Sequence, residues 1–222
     1  MNPSGGQFSS LADLITVVQM LLDPTRPNSV ITRYSRDKWL HSVHSFEEDD
    51  WTEVGWPWEI IKLPDSNGRL RKIYWKCMCH RLYTLLSLNT PLVVVGAMAG
   101  YHSALAIQPG SGYGVIVLSS GHYPDSANIT YDIFELMQPA FDKALSEQAA
   151  KLYSGEWLSA DGKSKATISV RKGTLYADEF VLDGSNILDS FHAQGSLALR
   201  SSERRDEFRF VLISWRSFVG RN

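Results

Sequence analysis

The chain has 222 residues, of which 44% are hydrophobic and seven are Trp, enough to bury one sizeable core or a core with a smaller satellite. A formal charge of −2 and a pI near 6.3, with Lys and Arg scattered along the sequence, leave no basic footprint for nucleic acid. The longest apolar run, Leu92 to Met98, is far shorter than the ~20 residues that a membrane-spanning helix needs.

The N-terminal MNPSGGQFSSLADL carries neither a positive n-region nor an apolar h-region, so the chain as written reads as cytoplasmic. Leu11, Leu14, Val17, Val18, Leu21 and Leu22 recur at helical spacing, Ser10 and Asp13 form a capping pair, and Asp23-Pro24 ends the run: this predicts a helix over Leu11 to Leu22. Residues 25 to 56 are polar and irregular and read as a surface excursion with a short helix around Arg36 to His41. Trp58 to Leu63 and Leu70 to Trp75 are β-rich runs joined by PDSNG, which predicts a hairpin. Ser103 to Ile107 and Gly114 to Ser119 form a second hairpin around QPGSGYG. A helix over Tyr131 to Leu152 follows, with Ile133, Leu136, Met137, Phe141 and Leu145 on one apolar face and Pro139 read as a kink. Beyond Tyr153-Ser154-Gly155 the period becomes two, and Lys165 to Val170, Thr174 to Leu182, Ser196 to Arg200 and Glu207 to Trp215 read as a small antiparallel β domain.

NPSGGQFSSLADL, GWPWEIIKLP, a strand ending in IYWK, and GYHSALAIQPGSGYGVIVLSSG occur in that order. The set resembles the C-terminal half of the fungal serine β-lactamase-like proteins of the β-lactamase and penicillin-binding-protein superfamily, over residues 2 to 150 and more loosely beyond. The resemblance implies an α+β fold: a partial β-lactamase/transpeptidase-like domain, an antiparallel sheet with flanking helices, over 1–152, then a small antiparallel β domain over 153–222. It further implies three motifs. Ser-x-x-Lys at a helix start supplies a nucleophile with a lysine one turn on, Tyr-x-Asn assists proton transfer, and Lys-[Ser/Thr]-Gly on the cleft strand places a cation beside the developing anion. The first two precede NPSGG in the family, and NPSGG begins here at residue 2.

Two strings match Ser-x-x-Lys, Ser35 to Lys38 and Ser169 to Lys172, and neither opens an apolar helix; Tyr-x-Asn is absent, and Ser126-Ala127-Asn128 comes after the hairpin, in the wrong order. The third motif has the candidates Lys76 and Gly96. Counting back from Gly100-Tyr101 instead puts Val94 at the lysine position, with Gly96 unchanged. Removing Cys77 to Val94 joins Lys76 to Val95 and Gly96 and restores Lys-x-Gly; these eighteen residues are read as a retained intron, the alternative being a true insertion. By the resemblance, Trp56, Trp58 and Tyr101 line the cleft, the alternative for both Trp residues being core packing.

Cys77, Cys79 and His80 lack a second cluster to complete a zinc site. His41 and His44, at helical i,i+3 spacing near Glu47 and Glu48, read as a solvated patch, and Gly110, Gly112 and Gly114 as hairpin glycines. No cofactor or metal is expected. The function expected is that of a C-terminal fragment of a serine hydrolase, inactive alone, whose partners are a small-molecule substrate or a missing N-terminal half. A pseudoenzyme that binds a ligand or partner is the alternative. Asn128-Ile129-Thr130 is a glycosylation sequon, which fits full-length family members being secreted.

Overall fold

The computed structural model describes residues 9–77, 100–122, 125–190, 195–201 and 208–211. The chain divides into two compact units, Met1–Pro139 and Ala140–Asn222, and the division falls inside a helix, α3.

The first unit opens with α1, Leu11–Leu22. Ser10 caps it: its hydroxyl accepts from the Asp13 N–H, and the Asp13 carboxylate accepts from the Ser10 N–H, the reciprocal box expected from the sequence. After α2 (Arg33–Trp39) come β1 (Ser42–Ser45), β2 (Thr52–Gly55), β3 (Glu59–Pro64), β4 (Leu70–Cys77), β5 (Tyr101–Gln108) and β6 (Tyr113–Ser120). They form one antiparallel sheet in sequence order. The stretch expected to be an excursion therefore supplies α2 and two strands. His41 and His44 share no helical face, since α2 ends at Trp39 and His44 lies in β1 against Phe46.

Register fixes what each face carries. Ile60, Tyr74 and Ile107 align across β3, β4 and β5 and meet Val18 and Leu21 of α1, with Leu40 and Trp58, in one apolar cluster. The helix lies close: a Cβ on Gly114 would stand 2.8 Å from Val18 Cγ1 and 2.9 Å from the Ala106 carbonyl, so β6 needs glycine beneath α1. Ile61, Ile73, Trp75, Ala106 and Val115 line the opposite face, toward which α3 (Ser126–Tyr153) brings Phe134, whose ring lies 5.1 Å from that of Tyr113.

The buried face of α3 is not the apolar stripe expected. Ser126, Thr130, Phe134, Gln138 and Asp142 are buried at a spacing of four, whereas Leu136, Met137 and Leu145 are exposed. Hydrogen bonds make polar burial tolerable here: Thr130 Oγ1 donates to the Ser126 carbonyl, and Gln138 bonds both Tyr113 and Ser111.

In the second unit β7 (Gly155–Leu158), β8 (Lys165–Arg171), β9 (Thr174–Leu182), β11 (Leu197–Ser201) and β12 (Phe208–Val211) form an antiparallel sheet ordered β12-β11-β9-β8-β7, and β10 (Ser185–Asn186) pairs with β9 ahead of the single turn α4 (Ile187–Ser190). Among the described residues no helix is long and apolar enough to cross a membrane.

Candidate functional site

The predicted site residues that fall within the described chain gather at one end of the first sheet. There β2 runs out at Gly55, a cis Trp56-Pro57 bond turns the chain, β3 begins at Glu59, β4 leaves through Lys76-Cys77 and β5 enters at Tyr101. Trp56 is 79% exposed and Tyr101 67% exposed. Lys76, paired across the ladder with Leu105, places its Nζ 2.9 Å from Glu59 Oε1, and both side chains are about half exposed. This end therefore presents a cation, a carboxylate and two aromatic surfaces to solvent. Trp58 points the other way. It is buried in the core between Trp39 and Tyr74, with ring centroids at 6.1 and 6.5 Å, where it supports the floor of this end. Gly96, Val94 and Val95, the segment after Cys77 read as a retained intron, and Cys79 and His80 lie outside the described residues.

The two Ser-x-x-Lys strings differ in context. Ser35 lies in α2 rather than in an irregular stretch, but its hydroxyl is 2.9 Å from Thr32 Oγ1 and Lys38 holds its ammonium over the Tyr34 ring. Ser169 lies within β8, and Lys172 takes a positive φ in the turn that follows. Ser126 and Asn128 begin α3, so the sequon is wound into a helix whose Thr130 is fully buried.

Charged clusters that sequence reasoning missed occupy the rest of the sheet. Glu53 on β2 is buried beside Lys62 on β3 and Lys72 on β4, at 2.8 and 2.6 Å. Burial alone would raise its carboxyl, but hydrogen bonds from Lys62, Lys72 and Ser42 prevail and hold it at about 2. At the far end of the sheet the Asp65 side chain is wholly enclosed and takes Arg69 Nε at 2.7 Å and Arg71 Nε at 2.9 Å, with the Asn67 and Arg69 N–H groups on Oδ1. Burial again works to raise the carboxyl, and these donors keep it below the usual range. Beside it Gln108 accepts from the Ser111 N–H, Tyr113 donates to Gln138 Oε1 at 2.9 Å, and Gln138 Nε2 donates to Ser111 Oγ at 2.9 Å. The visible signal for Asp65 was its place at the head of the DSNG turn; cross-strand partners such as Glu53 and Glu59 follow only from register.

No family model matches the sequence. A β-lactamase-like protein, str6, of Strobilurus tenacellus is 34% identical over 94% of this chain, which spans 66% of that protein's length. A β-lactamase-like protein of Arthroderma benhamiae is 29% identical over 71% of this chain and 23% of its own length. Among solved structures, an octameric penicillin-binding protein homologue from Pyrococcus abyssi aligns with 91% of this chain and 40% of its own, at 17% identity and a TM-score of 0.40.

Proposed function

The chain belongs to the β-lactamase-like proteins, and from that premise we propose that it forms the strand-and-hairpin wall of a serine-hydrolase-type site that binds an acyl substrate but supplies no nucleophile of its own. The observation that carries this reading is the convergence of Lys76, Glu59, Trp56 and Tyr101 at one solvent-facing end of the sheet. There an ammonium can hold a substrate carboxylate or a developing oxyanion, and the exposed aromatic rings can take its apolar part. Glu59 sets the resting state: an anionic ligand must compete for Lys76 with a carboxylate 2.9 Å away, in a pair that water already weakens.

In this reading acyl transfer requires a Ser-x-x-Lys and a Tyr-x-Asn that the chain does not carry in a suitable setting. A serine is a weak nucleophile until a base stands beside its hydroxyl. Ser35 instead meets Thr32, while Lys38 lies against Tyr34. The second reading, a module that only binds a ligand or partner, uses the same surface and also predicts binding without turnover.

Titration with a β-lactam bearing a free carboxylate, followed by tryptophan fluorescence, tests the assignment. Saturable quenching is expected, with affinity about tenfold lower in Lys76→Met because a charge-assisted contact is lost. Absence of binding, or unchanged affinity in Lys76→Met, contradicts it.

A further inference from the structure

At the opposite end of β4 a second, chemically distinct place stands out. Gln108 is 1% exposed, and its Oε1 accepts from the Ser111 N–H, which fixes the orientation of the amide. Its Nε2 is then left buried with no hydrogen-bond partner. A second buried donor is close by. Arg36 Nε lies 2.7 Å from Asp37 Oδ1 but is not in hydrogen-bonding geometry with any acceptor. Buried donors without acceptors are costly and rare, and each calls for a partner.

Both residues line one cavity of about 350 Å³, together with Asp37, Arg71, Lys72 and Gly110, and Leu40 and Tyr74 add apolar wall. The charges around it do not cancel. Arg71 shares Asp65 with Arg69, Lys72 shares Glu53 with Lys62, and Arg36 lies beside Asp37. The lining itself carries three cations, Arg36, Arg71 and Lys72, and one carboxylate, Asp37. At Gly110 an added Cβ would stand 3.3 Å from Arg71 Nη1 and 3.5 Å from Gln108 Nε2, so glycine keeps the mouth of the cavity open.

We infer that this cavity binds a small molecule through a phosphate-type oxyanion, held by Arg36, Arg71, Lys72 and the Gln108 amide. The donors arrive from α2, β4 and the end of β5, a spread that suits a tetrahedral anion better than a flat carboxylate taken by one guanidinium fork. The inference does not depend on the hydrolase reading, because Arg71 and Lys72 lie near the start of β4 and Lys76 near its other end.

Calorimetric titration of the whole chain with inorganic phosphate, and separately with succinate, at low ionic strength provides the test. Saturable phosphate binding is expected with a dissociation constant on the order of 1 mM, tighter than succinate and weakened by added sodium chloride. Arg36→Gln should weaken it about tenfold. Gln108→Glu keeps the acceptor for Ser111 but sets a carboxylate where the anion would sit. It should abolish binding while the ligand-free protein melts no lower than the parent. Gly110→Ala, which narrows the mouth, should also weaken binding and covers the case in which Gln108→Glu misfolds. The absence of saturable phosphate binding, a preference for succinate, or undiminished affinity in Arg36→Gln and Gly110→Ala each overturns the inference.

Discussion

The two ends of the first sheet use the same kinds of residue to opposite effect. At the Asp65 end most polar groups are buried and paired: one enclosed carboxylate holds two guanidinium groups, and Tyr113, Gln138 and Ser111 are linked by hydrogen bonds in a chain. At the Lys76 end a single lysine and a single glutamate stand half in water, with Trp56 and Tyr101 exposed around them. Desolvated ion pairs are costly to break, whereas wet ones contribute little to stability and are available to exchange partners. The Asp65 pairs hold the fold together, whereas the Lys76–Glu59 pair is at liberty to exchange partners.

The sharpest break in this comparison is Asp65→Ala. It leaves Arg69 and Arg71 facing an empty position and should lower the unfolding free energy by about 4 kcal/mol in urea titration. A loss below about 1 kcal/mol would place the Asp65 end in the same class as the Lys76 end.

Glu53 lies between the extremes and carries a pH signature. Its folded pKa of about 2 lies below the ordinary 4.5, so its contribution is full above roughly pH 5 and is lost as pH falls from 4.5 toward 2. Glu53→Gln should cost roughly 2 kcal/mol at neutral pH and flatten the acid limb of the stability curve across that window. A variant whose acid limb follows that of the parent would show that other carboxylates carry it.

The smallest effects belong to the open end. Lys76→Ala and Trp56→Ala should each change stability by less than about 0.5 kcal/mol, because neither side chain is buried. A larger loss in either would mean that this end is structural after all.

What the sequence made legible follows the same division. α1 could be read to its cap because Ser10 and Asp13 act locally, and both hairpins announced themselves through turn residues. Lys76 was visible as a strand end, but Glu59 was not, since only the β3–β4 register brings the two together from seventeen residues apart. β2 escaped notice because its buried positions include Glu53, a residue that enters a core only with its lysines. The face of α3 was misjudged for a related reason: hydropathy points to Leu136, Met137 and Leu145, while the residues that go inside are Thr130, Gln138 and Asp142. Burial sustained by hydrogen bonds leaves no trace in apolar periodicity.

The intact mass of the chain after incubation with a fluorophosphonate probe and with a chromogenic β-lactam tests the central claim most directly, that this protein binds at the Lys76 end without acylating itself. The account predicts an unmodified mass and no β-lactam turnover. A stoichiometric adduct that disappears in Ser35→Ala or Ser169→Ala would contradict it, and would show that one of the two Ser-x-x-Lys strings is an activated nucleophile.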